Sequence, residues 1–279
     1  MTEALFQPIR TKIMGVLNVT PDSFSDGGKF LSADKAWAQL EALVQDGADI
    51  IDIGAESTRP GSLPVSSDDE WARLKPILER FYRSGLKVQT SLETRKPDLM
   101  LKAADLGVNF INDVEGARHP DTLKRLSKFS GLSYICMHMQ GEPQTMQKTP
   151  LSGVKGLLAI DKFFADKTQM LAECGFEDQR IYMDPGFGFG KTDELNAKII
   201  AASAQWVKKG YKLVVGVSRK SFFGRILGIT EATDRDAPSK MCELSTALMG
   251  VEMIRTHNVG QLKMLFKLVD DGAGNSRTI

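Results

Sequence analysis

Apolar positions along the chain fall into two kinds of run that alternate from end to end. The first kind is short, continuous and rich in β-branched residues, with Gly, Pro, Asn or Asp at its borders, which predicts buried strands. Such runs cover 13–19, 49–54, 86–92, 109–111, 132–137, the stretch from Ile181 to Asp184, 212–217 and 252–254. The second kind is periodic: Ala36, Trp37, Leu40, Leu43 and Val44 recur at three- and four-residue spacing up to Gly47, which predicts an amphipathic helix with a glycine stop. Comparable spacing predicts helices near 68–83, 99–106, 121–129, 156–174, 194–207 and 259–269, with a further pair between Phe222 and Gly250. Eight strands, each followed by a helix, predict an α/β protein with one (β/α)8 TIM-barrel domain over 12–279, behind a short N-terminal extension, 1–11. An open, doubly wound sheet is the competing fold. It ranks lower because polar clusters follow nearly every predicted strand, and a closed barrel brings all eight C-terminal strand ends around one mouth.

Those clusters carry the candidate chemistry. Asn18 ends the first strand and leads into Thr20 to Gly28; the others include Glu56 to Gly61, Glu93 to Pro97, Asn112 with Asp113, His138 to Gly141, Ser218 to Ser221 and Arg255 to His257. The sharpest is Asp184-Pro185-Gly186, which opens an alternation of Gly and Phe up to Lys191. Alone, Asp-Pro-Gly is what turns are made of. The following Gly-Phe-Gly-Phe-Gly-Lys-Thr resembles a phosphate-binding loop, but Pro185 stands where that loop needs glycine, so the match fails.

Composition narrows the class. With 279 residues, 42% of them hydrophobic, and a net charge of +1, nothing points to nucleic acid or a membrane surface. Three scattered cysteines suit a reduced cytoplasmic compartment rather than a disulfide framework. The first twelve residues lack the apolar core of a signal peptide. Ser221 has no evident histidine partner for a triad, and a chain with so few His and Cys argues against zinc.

Gathered at one mouth, the carboxylates Asp184, Glu93 and Asp113 and the amide of Asn112 come from the middle strands, while Arg59, Arg219, Lys220, Arg255 and His257 come from the second, seventh and eighth. The first group suits a flat heterocycle with an amidine-like edge, and the second suits phosphates. A Mg²⁺ ion carried by a substrate diphosphate, touched by the oxygen of Asn18, fits this oxygen-rich set. Each residue also has a plainer reading: Arg59 and Arg255 as rim ion pairs, His257 as a structural hydrogen bonder, Asn112 as a turn residue, and Phe24, Phe187 and Phe189 as packing aromatics. For the phenylalanines, flanking glycines favour a stacking or loop-closing role at least equally.

Over nearly its full length the chain resembles the dihydropteroate synthases, a pterin-binding TIM-barrel family. The resemblance rests on Asn-Val-Thr-Pro-Asp-Ser-Phe-Ser-Asp-Gly-Gly at 18–28, Glu-Ser-Thr-Arg-Pro-Gly at 56–61, Asn112-Asp113, Met-His-Met-Gln-Gly at 137–141, Asp184 to Lys191, Ser218 to Ser221, and Arg255-Thr256-His257. It implies an enzyme of folate biosynthesis that joins 7,8-dihydropterin-6-ylmethyl diphosphate to p-aminobenzoate, with Mg²⁺ and as a cytoplasmic homodimer. By the same resemblance Glu93, Asn112, Met137, Asp184 and Lys220 hold the pterin; Phe24, Thr58, Arg59, Pro60, Phe189 and Ser221 shape the p-aminobenzoate site; and Asn18, Arg255 and His257 hold the diphosphate, with Asn18 at the metal. The catalytic set it implies is Asp26, Lys220, Arg255 and His257. Two positions depart from the family pattern: Glu93 stands where Asp is usual, and Asn258 follows His257 where Asp is usual. These departures leave open a paralogue of altered activity, a non-catalytic pterin-binding protein, or a folate-dependent methyltransferase barrel, the last disfavoured by the 56–61 and 218–221 motifs.

Overall fold

The computed structural model describes residues 8–20, 29–57 and 62–273. Eight strands appear in it, all parallel: β1 Lys12–Asn18, β2 Ile50–Gly54, β3 Gln89–Glu93, β4 Phe110–Asp113, β5 Ser133–Met137, β6 Ile181–Asp184, β7 Val214–Val215 and β8 Met253–Thr256. They pair in the order β6-β5-β4-β3-β2-β1-β8-β7, and a bridge between Met183 and Leu213 joins the two ends. The sheet therefore closes on itself as a barrel, with no open edge.

Helices fill each crossover among the described residues: α1 Lys29–Gln45, α2 Ser67–Ser84, α3 Pro97–Leu106, α4 Pro120–Leu126, α5 Gly153–Glu173, α6 Asp193–Lys208, the pair α7 Ser221–Leu227 and α8 Asp236–Leu248, and α9 Val259–Gly272. Their ends follow local chemistry. Ser66 caps α2, its hydroxyl accepting the Asp69 N–H at 3.1 Å, and Gly85 at φ 75° ends it. Prolines 97 and 120 open α3 and α4, where a missing N–H costs nothing. None of the described helices is long and apolar enough to cross a membrane.

Two strands are shorter than their apolar runs suggest. The run 86–92 pairs only from Gln89, because Gly85 turns the chain out of α2 and the next three residues carry it back to the sheet. The run 212–217 keeps only Val214 and Val215 as a strand; Leu213 makes a single bridge to Met183, and after Val217 the chain turns, with Lys220 N–H bonding back to Val217 O.

Side chains alternate across each strand and sort into two cores. Those pointing outward, among them Leu17, Ile51, Ile53, Leu92, Ile111, Cys136, Met183, Val215 and Ile254, pack against the helices. Those pointing inward form a separate plug of Met14, Ile50, Phe110, Ile135, Tyr182, Val214 and Met253. At roughly 25 cal/mol per Å² of apolar area, such full burial is what holds a barrel of this size together. The plug seals the barrel and is the floor of what lies above it.

Candidate active site at the mouth of the barrel

Two residues beyond the plug, the same inward face turns largely polar, with Met137 and Gly216 the exceptions in the set that follows. Asp52 follows Ile50, Asn112 follows Phe110, Met137 follows Ile135, Asp184 follows Tyr182, Gly216 follows Val214 and Arg255 follows Met253. Strand periodicity alone aims these positions into the barrel. Glu93, in register with Asn112, joins the layer from β3. Above it lies a pocket lined by Glu93, Asn112, Met137, Asp184, Lys220 and Arg255, with Val114, Gly186, Phe187, Phe189 and Gly216 in its walls.

Arg255 is the hub of the layer. Its Nε donates to Asp52 Oδ2 at 2.6 Å and its Nη2 to Glu93 Oε2. Asn112 Nδ2 donates to the same Asp52 oxygen at 3.0 Å. Burial works against the guanidinium charge, but Glu93 and Asp52 outweigh it and the Arg255 pKa rises. Glu93 is pushed up by burial and by the Asp52 charge, against the pull of Arg255 and Lys220. Burial also raises Asp184, restrained by the Gly186 N–H on its Oδ1 at 2.6 Å and by Lys220, Lys191 and Arg255. A buried carboxylate with one oxygen on backbone and the other free to accept is suited to paired N–H donors.

The loop after β6 explains the Gly-Phe alternation. Gly186 has φ 66°, and a Cβ there would stand 2.0 Å from the His138 carbonyl oxygen, so glycine alone allows the β5 and β6 loops to approach this closely. Lys191 is buried and donates to the carbonyls of His138, Gly186 and Phe189 at 3.2, 2.8 and 3.0 Å. Burial brings its pKa down to about 7. The lysine that mimics a phosphate loop is therefore a clamp on the loop's own backbone. Phe187 is 1% exposed and lies 6.5 Å from Phe222 in the core, so the plain packing reading holds for it. Phe189 faces the pocket, with Lys220 Nζ 4.3 Å from its ring centre.

On the cationic side, Ser218 Oγ accepts the His257 backbone N–H at 3.1 Å and lies 2.9 Å from His257 Nδ1. The direction of that second contact follows the ring tautomer: with the Ser218 hydroxyl donating to Nδ1, the ring proton is on Nε2. Burial, then Arg255, Arg219 and Lys220, lower the His257 pKa to about 3. Arg219 sits at φ 56°, unusual for a residue other than glycine, and is held there by Asp236 through Nε at 2.6 Å and Nη2 at 2.9 Å. Asn258 donates to the same Asp236 at 3.2 Å while its own oxygen caps α9 through Gln261 N–H. Ser221 opens α7 and is exposed, its hydroxyl accepting from Arg225. Asn18 ends β1, half-buried, in register with Gly54.

Comparison with known proteins meets this geometry directly. The sequence profile described as "Pterin binding enzyme" matches residues 14–257. The chain belongs to the pterin binding enzyme family. A dihydropteroate synthase of Escherichia coli strain K12 is 35% identical over 258 residues, covering 92% of this chain and 90% of that one. Among solved structures, the Xanthomonas albilineans dihydropteroate synthase with 4-aminobenzoic acid superposes with a TM-score of 0.86 at 32% identity, covering 94% of this chain and 93% of that one. The Anaplasma phagocytophilum dihydropteroate synthase with bound 6-hydroxymethylpterin-monophosphate has a TM-score of 0.85 at 37% identity, covering 94% and 99%.

Of the residues the family resemblance names, Glu93, Asn112, Met137, Asp184, Phe189, Lys220 and Arg255 meet at one pocket. His257 and Ser218 stand beside it on the turn after β8 and the turn after β7. Phe24, Asp26, Thr58, Arg59 and Pro60 lie outside the described residues. Asp113, grouped by sequence with the mouth carboxylates, is a correction. One position on from Asn112, it points outward, and its oxygens accept from Glu115 N–H, Ala117 N–H and Tyr134 OH at 2.8, 2.6 and 2.6 Å. Asp52 is the residue that sequence reading missed. Its signal was present, a carboxylate inside an otherwise apolar run two positions after Ile50, and it lay within a strand rather than in the polar cluster that follows.

Proposed function

We propose that the chain is a dihydropteroate synthase: it transfers the pterin-6-ylmethyl group of 7,8-dihydropterin-6-ylmethyl diphosphate to the amine of p-aminobenzoate. One C–O bond breaks, one C–N bond forms, diphosphate leaves, and the amine loses a proton. The observation that carries this reading is the division of the mouth: carboxylates and an amide on β3, β4 and β6 face Arg255 and Lys220 across one pocket, with His257 on the turn after β8 beside it.

In this reading the free oxygen of Asp184 accepts the paired N–H groups of the pterin, Asn112 meets the neighbouring edge, and Met137 packs on the ring face. Departure of diphosphate leaves positive charge on the pterin methylene, which Asp184 and Glu93 offset, while Arg255, Lys220 and the Nε2–H of His257 receive the leaving group. Preorganised charge of this kind is commonly worth about 3 kcal/mol per donor or acceptor. The amine of p-aminobenzoate then attacks from the side of Phe189 and Ser221, with Phe24, Asp26, Thr58, Arg59 and Pro60 assigned there by family resemblance.

Mg²⁺ enters the proposal as a companion of the diphosphate. No group of three His, Cys, Asp or Glu among the described residues forms a metal cluster, whereas the Asn18 amide offers one oxygen at the mouth. That donor set fits an ion whose remaining ligands are phosphate oxygens and water. When bound, it neutralises charge on the departing diphosphate. Exposed Ile226 and Leu227 on α7 and Met241 and Leu248 on α8 support a homodimer, and composition supports a cytoplasmic location.

Diphosphate release tests the proposal. It is expected only with both substrates and Mg²⁺ present; release that ignores p-aminobenzoate would instead mark a pterin diphosphate hydrolase, and none at all a non-catalytic binder.

A further inference from the structure

Asp52 is wholly buried beneath the pocket and touches two of its lining residues without lining it. Its Oδ2 accepts from Arg255 Nε at 2.6 Å and from Asn112 Nδ2 at 3.0 Å. An ionised carboxylate only accepts hydrogen bonds. It follows that the nitrogen side of the Asn112 amide must face Asp52; turning the amide over would set Asn112 Oδ1 against a carboxylate oxygen in a buried, low-dielectric place. The amide is thereby offered to the pocket in one order, with Oδ1 as acceptor beside one remaining N–H donor. Arg255 is fixed by the same oxygen and cannot take up the slack, since its Nη2 is already engaged by Glu93.

We propose that Asp52 is a positioning residue for ligand selection: by fixing the orientation of Asn112, it makes the pocket select a pterin edge bearing a 2-amino donor over the same ring bearing a 2-oxo acceptor. This inference rests on the pterin reading above. Asp184 prefers the amino edge in its own right, so Asp52 supplies the part of the preference that passes through Asn112.

The experiment measures calorimetric dissociation constants of pterin and of lumazine, its 2-oxo counterpart, for the full chain and its variants. Pterin should bind more tightly to the parent. Asp52→Ala frees the Asn112 amide to turn over, and the preference for pterin should fall by on the order of tenfold, the scale of one mispaired buried hydrogen bond. Asp52→Asn, whose amide oxygen can still accept from both partners, should restore most of that preference. In an Asn112→Ala background, Asp52→Ala should leave the preference unchanged, because the two residues act as one. A merely structural Asp52 would weaken both ligands equally, and an unaltered preference in a folded Asp52→Ala protein overturns the proposal. So does Asp52→Asn losing as much preference as Asp52→Ala, which would assign the effect to charge. If Asp52→Ala loses its cooperative melt, Asp52→Ser carries the same expectation and the same refutation. Failure of the parent to bind either ring would instead overturn the pterin reading itself.

Discussion

Arg255 is held by two carboxylates, and this makes Glu93 more than a lengthened aspartate. The cations that follow Glu93 in sequence are engaged elsewhere: Arg95 pairs with Glu56 and Glu115, and Lys96 with Glu56 and Glu70. Glu93 instead reaches across the barrel mouth to Arg255 Nη2. An aspartate would fall one methylene short of that contact, so Glu93→Asp should lower kcat/KM by on the order of tenfold through the lost pairing with Arg255, and Glu93→Gln at least as much, because it also removes a buried negative charge beside Arg255 and Lys220. Steady-state kinetics on both variants checks this; Glu93→Asp matching the parent would mean the ion pair contributes nothing to the reaction. Sequence alone identified the carboxylate but not its partner. The partner depends on how β3 and β8, separated by β2 and β1, come to face each other in a closed ring, and nothing in the local pattern of either strand encodes that distance. Asp52 was hidden for a related reason: a charge within an apolar run has meaning only once the inward face of that run is known.

At the scale of elements, the site depends on turns whose residues serve geometry rather than chemistry. Gly186 allows the β5 and β6 loops to touch, and Gly186→Ala should destabilise the fold by about 2 kcal/mol or more from left-handed strain and a clash with the His138 carbonyl, with pterin affinity falling alongside. Urea unfolding with and without pterin measures both, and unchanged stability would show that the loops part without cost. The turn after β7 offers a second case. Asn258 and Asp236 share a hydrogen bond beneath Arg219, and Arg219 holds the Asp236 pKa low. Asn258→Asp keeps the α9 cap, since Asp caps as well as Asn, but sets two carboxylates side by side. Stability should fall by about 1 kcal/mol, less in high salt; a more stable variant would show that Asn258 is not matched to Asp236. The motifs of both loops were legible in the sequence as sites. Their internal wiring was not, because Lys191 and Asn258 bond to backbone or to residues distant along the chain, and neither partner is marked by spacing.

Taken as a whole molecule, the barrel was legible because each strand announces itself by an apolar run and each helix by its period; β3 and β7 are shorter than their runs, while β4 and β8 continue through Asn112-Asp113 and Arg255-Thr256, polar residues that an apolar run does not mark. Buried histidines give the molecule a pH signature. His138 and His257 both have pKa values lowered to about 3, chiefly by burial. The unfolded chain therefore takes up protons first as pH falls below the usual histidine range, and stability is lost from about pH 6.5 down toward about pH 3, roughly 2 kcal/mol per histidine by about pH 5. Glu243, raised to about 7 by burial, works in the opposite direction, so the comparison must be with a variant. His257→Gln should lose less stability than the parent between about pH 7 and about pH 5; an equal loss would mean that His257 is protonated in the folded protein. The central claim is that the polar layer above the plug carries out the joining reaction, and product formation from isotope-labelled p-aminobenzoate tests it most directly. With dihydropterin diphosphate and Mg²⁺, the parent should yield labelled dihydropteroate by mass spectrometry, and folded Asp184→Asn should yield less than about one-hundredth as much, on the scale of a lost buried charged acceptor. Labelled product formed equally well by Asp184→Asn, or none from the parent, would contradict it.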